Sequence, residues 1–194
     1  MKITLETFKE KLSTIHNIIY FDNHHYLREK TSDREKLTTY IEQGEYLLVQ
    51  FSHVKEDMYF LHGTLGNLYR IYEKPYQAIP FLEKCLDYAR KTKNITKEIV
   101  SLIRYGEALK YADNHNESLN MFREAFKLCQ EHDITNYLDF VWQHEGKCLL
   151  EVGQIDDAEK CFAQAMNLRQ EKGEQTLIQS TEQALNLIQK MKAR

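Results

Sequence analysis

Proline and glycine are scarce in this chain, with two prolines and seven glycines among 194 residues. That leaves too few turn formers for a β-sandwich or a Pro/Gly-rich linker and suits a helix-rich protein. An excess of one charge is also missing. The net charge of −3 offers no basic field to hold phosphates, so no nucleic-acid partner is expected. No run approaches the roughly 18 apolar residues of a membrane helix, and Met1 to Glu6 lacks the apolar core of a signal peptide. The expectation is a cytoplasmic protein with no membrane contact. Cys85, Cys129, Cys148 and Cys161 show no C-x-x-C spacing and read as small buried hydrophobes rather than disulfides or ligands. Glycine-rich nucleotide loops, nucleophile elbows and kinase signatures are absent, so neither an enzyme nor a cofactor is expected. Eight histidines are present, but no pair has the i, i+4 spacing of a helical zinc motif. His24-His25 with His16, or His53 with His62, come nearest, and no metal is expected.

What the chain does contain is a repeat. Trp142-x2-Glu145-Gly146-x2-Leu149 is followed by Ala158-x3-Phe162-x2-Ala165, with Val152-Gly153-Gln154-Ile155-Asp156 between them. The pattern recurs as Leu102-x2-Tyr105-Gly106-x2-Leu109 with Ser118-x3-Phe122-x2-Ala125. It recurs again as His62-x2-Leu65-Gly66-x2-Tyr69 with Ala78-x3-Leu82-x2-Cys85. The glycines stand 40 apart (66, 106, 146), each twelve before Ala78, Ser118 or Ala158. A glycine inside a helix costs roughly 1 kcal/mol relative to Ala, which suggests that a neighbour approaches closely there. A lone helical hairpin cannot bury its apolar face, so such units stack.

In chain order, Leu5, Phe8, Leu12, Ile15 and Ile19 form a helical stripe over residues 3–21. Ser32 and Glu35 form a capping-box signal for a helix over roughly 33–52, with Leu37, Ile41, Gly44 and Leu47 or Leu48 on one face. Residues 1–55 therefore read as divergent N-terminal helices. Helix pairs follow at 56–92, 95–131 and 135–171. Pro75 suits a first helical position, whereas Pro80 predicts a kink or a delayed start. Residues 174–192, with Leu177, Thr181, Ala184, Leu185, Ile188 and Met191 on one side, read as a capping helix. The whole is expected to be a single all-α domain, an α-solenoid of antiparallel helix pairs.

The Gly, Ala and Phe offsets resemble the tetratricopeptide repeat. The common unit is 34 residues, so six extra residues are expected at the end of the second helix and in the next turn. Repeats of 40 residues are similar to those of bacterial peptide-sensing regulators of the Rap and PlcR type. The resemblance covers about residues 56–171 and implies a superhelix whose first helices line a concave groove.

By position, the resemblance assigns Asn67, Arg70, Arg104, Glu107, Lys110, Tyr111, Gln143, His144 and Lys147 to peptide or partner binding. Gly63, Ile71, Ile103, Phe140 and Glu151 lie beside them. Amides and cations in this mixture suit an extended peptide's backbone and carboxylates. Asn67 stands out, since its amide both donates and accepts. Gly63 and Phe140 occupy places where chaperone-tail binders carry lysine. Tyr26, Tyr59, Tyr76 and Tyr137 are candidates for a groove or dimer contact. The function implied is a protein- or peptide-binding scaffold. Alternatives are a peptide-sensing or partner-sequestering regulator, of the Rap/PlcR or antitoxin/immunity type, and a self-associating module such as a homodimer.

Overall fold

The computed structural model describes residues 3–51 and 55–193; His53 lies outside them. An N-terminal helix α1 (Leu5–Leu12) leads through a 3-10 turn at Ile15–Ile18 into strands β1 (Ile19–Asp22) and β2 (Arg28–Thr31). Then come α2 (Arg34–Gln50), α3 (Lys55–Ile71), α4 (Pro75–Lys91), α5 (Ile95–Tyr111) and α6 (His115–Glu131). A 3-10 turn at Thr135–Tyr137 opens α7 (Leu138–Glu151), followed by α8 (Ile155–Lys172) and α9 (Gln175–Lys192). From α3 onward successive helices pack in antiparallel pairs, an all-α solenoid of tetratricopeptide type.

The period of 40 has a local cause. Helices α3 to α6 each have 17 residues and start at 55, 75, 95 and 115. The extra residues are thus shared by both helices of a unit, not gathered at the end of the second. Each link holds one residue in the left-handed region: Glu73, Lys93, Asp113, Asp133, Gly153 and Gly173, with φ between 52° and 79°. There the backbone reverses and satisfies the last carbonyls of the preceding helix: Lys74 N–H donates to Tyr69 O at 2.9 Å, and Asn94 N–H to Ala89 O at 3.0 Å. Only two of the six are glycine, so the other four links carry the steric cost of a Cβ in that region.

The helical glycines make room for side chains. A Cβ on Gly66 would stand 2.5 Å from Leu82, one on Gly106 2.6 Å from Phe122, and one on Gly146 2.9 Å from Phe162. Ala78, Ser118 and Ala158 are fully buried beside them, and Ser118 Oγ donates to Gly106 O at 2.8 Å. Pro80 does not delay α4, which begins at Pro75. It lies on the exposed face, where the lost hydrogen bond opens toward water.

The N-terminal region departs from the expected helices. The stripe stays helical only to Leu12, because Ser13 Oγ donates to Glu10 O at 2.6 Å and Thr14 Oγ1 to Lys11 O at 2.9 Å. These hydroxyls take the carbonyls that further turns would need. Ile19-Tyr20-Phe21 then alternates with period two, and β1 pairs antiparallel with β2, Ile19 opposite Thr31 and Asp22 opposite Arg28. The cap of α2 is Asp33 rather than Ser32: its side chain accepts from Lys36 N–H at 2.9 Å. Ser32 instead ties back to Ile18 O through its N–H at 2.9 Å.

Helix α9 is held by a buried polar cluster. Arg169 Nε donates to Asp139 Oδ2 at 3.0 Å, and its Nη1 reaches Thr181 Oγ1 at 2.8 Å and Leu177 O at 3.0 Å. Thr181 Oγ1 donates to Gln143 Oε1 at 3.0 Å. Burial pushes the Arg169 guanidinium below its ordinary pKa, against the pull of Asp139. All four cysteines are free and buried, and burial pushes the Cys129 thiol up to about 11, which leaves it unreactive.

Candidate functional site

The first helices of successive repeats, α3, α5 and α7, pack on one another and form one wall of the array. All nine residues expected to bind a partner lie on this wall. Six of them are buried, however: Arg70, Glu107, Lys110, Tyr111, Gln143 and Lys147. Gln143 is committed to α9. The other five face the β1–β2 hairpin, which lies across the last turns of the three helices.

The hairpin enters as a charged strand. Arg28 Nε and Nη2 bind the two oxygens of Glu151 at 3.0 and 2.6 Å, and Nη2 also reaches Asp113 at 2.8 Å and Lys110 O at 3.1 Å. Glu29 pairs with Arg70 Nη2 at 2.5 Å, while its N–H donates to Tyr111 Oη at 2.5 Å. The guanidinium groups of Arg28 and Arg70 both lie against the Tyr111 ring, 5.1 and 4.8 Å from its centre. Lys147 Nζ donates to Leu27 O at 3.4 Å and sits 4.4 Å from the centre of the Phe21 ring. Leu27 itself is 1% exposed and belongs to the main core.

Glu107 is the hub beneath the strand. Arg70 Nη1 lies 3.1 Å, Lys110 Nζ 3.0 Å and His144 Nδ1 2.9 Å from its carboxylate. These are charge contacts without aligned hydrogen bonds. Burial alone would raise the Glu107 carboxyl; His144, Lys110 and Arg70 hold it well below the ordinary carboxylate range. Burial lowers the His144 imidazole, against the upward pull of Glu107. Lys147 has no carboxylate in ion-pair reach among the described residues, and burial pushes its ammonium down to about 8.

The other half of the wall stays open. A pocket of about 510 Å³ is lined by Asn67, Val100, Ile103, Arg104, Tyr137, Phe140 and His144, with Glu29, Arg70 and Glu107 along one side. Arg104 is exposed and makes no ion pair or hydrogen bond among the described residues. Its guanidinium crosses onto α3 where Gly63 has no side chain; a Cβ there would stand 2.8 Å from Nη1. Asn67 Oδ1 accepts from Arg70 Nη2 at 2.7 Å and Nε at 3.2 Å. The Asn67 amide therefore has only its NH2 left to offer.

The remaining candidates scatter. His16, His24 and His25 are exposed, and His62 is buried against Phe81, 6.0 Å between ring centres. Asp113, His115 and Glu151 place ligand atoms within 4.8 Å of one another, a grouping no local spacing announces. Arg28 already fills the cation position between the two carboxylates. Of the four tyrosines, Tyr137 lines the open pocket. Tyr59 lies within hydrogen-bond reach of Ser101 Oγ at 3.3 Å, and Tyr76 is 76% exposed. Tyr26 borders a separate cavity of about 830 Å³ between the hairpin and α9, with Tyr20, Phe21, Leu187 and Met191. No helix among the described residues is long and apolar enough to cross a membrane.

Among solved structures the fold resembles RapI, with a TM-score of 0.68 at 11% identity over 96% of this chain and 62% of that one. It resembles a Rap protein complexed with competence and sporulation factor at 0.67 and 14% identity, over 90% of this chain and 50% of that chain. The tetratricopeptide domain of Arabidopsis FLU matches at 0.55 and 16% identity, over 61% of this chain and 98% of the domain. The chain thus spans about half to two thirds of the Rap chains. At such identities the likeness is one of fold, a tetratricopeptide-type helical repeat. No protein-family model matches the sequence, and no curated protein matches it either.

Proposed function

We propose that the chain is a non-catalytic scaffold that binds a protein or peptide segment in the open half of its concave face. One observation carries this reading. Arg104, an exposed cation with no ionic or hydrogen-bonding partner among the described residues, stands beside the Asn67 amide in a pocket walled by Val100, Ile103, Tyr137 and Phe140. A guanidinium next to apolar and aromatic walls suits a segment that pairs a carboxylate with a hydrophobic side chain. The pocket has room for a few side chains, not for a strand along the whole groove.

The test is capture of partners by the tagged protein from its native cell lysate, read by mass spectrometry beside an Asn67→Ala, Arg104→Ala variant. A partner held by wild type and lost by the folded variant supports the site; equal retention by both moves it elsewhere. A second reading, a peptide-sensing regulator of the Rap and PlcR type or a partner-sequestering protein of antitoxin/immunity type, is supported by the likeness to the Rap chains. Tight uptake of a free oligopeptide would favour it. A homodimer in light scattering would favour the third reading, a self-associating module. A cytoplasmic location is part of the proposal.

A further inference from the structure

The hairpin stands toward the groove as a ligand stands toward a receptor. Its two strands and turn form a unit outside the repeats, closed by its own contacts: Asp22 accepts from His24 N–H at 2.9 Å and from His25 Nδ1 at 2.6 Å. Every feature of Leu27-Arg28-Glu29 meets a repeat residue suited to it. The apolar side chain enters the core, the basic one meets Glu151 and Asp113, and the acidic one meets Arg70. The backbone is read as well, its carbonyl at Leu27 by Lys147 and its N–H at Glu29 by Tyr111. Backbone contacts for hold and alternate side chains for choice are how an extended peptide is recognised.

The geometry points to a binding site for an extended peptide segment of apolar–basic–acidic order in the closed half of the concave face, with Leu27-Arg28-Glu29 its resident occupant and a partner's segment of the same order its competitor. This rests on reading the concave face as a binding surface. Two features make the occupant exchangeable. A two-stranded hairpin is marginal by itself. Part of its hold here is also charge for charge, and buried ion pairs roughly break even against their desolvation. Tethering at both ends gives the hairpin an effective concentration in the millimolar range, so it wins until a competitor binds better or arrives with further contacts, such as those of the open pocket.

The probe is a labelled synthetic peptide with the sequence of residues 19–31, titrated by fluorescence anisotropy into wild type and into an Arg28→Ala, Glu29→Ala variant. Expected is binding to the variant at least about tenfold tighter than to wild type, and none by a peptide carrying the same two alanines. Hydrogen exchange on the wild-type protein is the second arm. The amides of residues 19–31 should exchange through an opening of their own, ahead of those of α5 and α7. No uptake by a variant that keeps its helical circular dichroism overturns the inference. So does exchange of the hairpin only together with the core helices, and that arm decides if the variant does not fold. Dimers of wild type formed by trading hairpins would make a second copy the competitor and overturn the partner reading. None of these outcomes touches capture through Asn67 and Arg104, so the two readings fail separately.

Discussion

Arg104 and Glu107 lie one turn apart on α5, on the same wall, and they live in different environments. Arg104 is exposed with no ionic partner among the described residues, while Glu107 is 5% exposed among Arg70, Lys110 and His144. The difference is the hairpin. Where it lies across the first helices, their charges become part of the protein's interior; where it stops, they face outward. One wall thus serves stability at one end and, in the function proposed above, recognition at the other, and position along a helix decides which.

The comparison breaks most visibly at Glu107. Glu107→Gln leaves Arg70 and Lys110 buried without their shared anion, and loss of one partner of a buried pair costs about 3–5 kcal/mol; urea denaturation at pH 7 would measure it. Because the Glu107 carboxyl is held low, its contribution is present above its ordinary pKa near 4.5 and is lost as pH falls toward the depressed value. The variant should therefore show a flatter acid limb.

Lys147 should move the other way. At about 1.4 kcal/mol for each tenfold, the fall from 10.5 to about 8 corresponds to a cost of up to about 3 kcal/mol for the buried ammonium. Lys147→Met should recover part of that at pH 7. Between pH 8 and 10.5 the unfolded chain holds the proton more tightly than the folded one, so this lysine makes wild-type stability rise with pH across that window. The Met variant should lack that rise in melts at pH 7 and pH 10.

Gly106→Leu strikes both halves at once, since α5 carries both. Phe122 occupies the space of the new side chain, and overpacking of this kind costs about 1–3 kcal/mol. An unchanged melting temperature would show that α5 can shift without cost. The smallest effect belongs to the open half: Arg104→Ala should stay within about 0.5 kcal/mol of wild type in stability, while abolishing partner capture. A large loss of stability there would mean that Arg104 is structural and the open half is not set aside for a ligand.

Much of the repeat array is legible in the sequence. Gly66, Gly106 and Gly146 with Ala78, Ser118 and Ala158 mark helices whose packing is local, and a contact between adjacent hairpins repeats its own sequence signature. The α2 face was legible for the same reason, and Leu37, Ile41, Gly44 and Leu47 are all buried. The hairpin was not legible. Arg28, Glu29 and Lys30 make β2 a charged strand whose partners lie far along the chain, Glu151 being 123 residues from Arg28. A helical stripe ending in Ile15 and Ile19 also hid the switch to period two at Ile19-Tyr20-Phe21. The likeness in position pointed to residues on α3, α5 and α7 but could not show that another part of the chain covers half of that wall.

The sequence by itself determined the repeat helices, their pairing and the period of 40, because these rest on spacing within a few turns and on contacts between neighbours. Only the tertiary structure decided which groove charges are spent inside the protein and which face outward. That depends on long-range pairing of a short charged strand with three helices, and burial, not residue type, sets whether an arginine or a glutamate holds the fold or faces solvent.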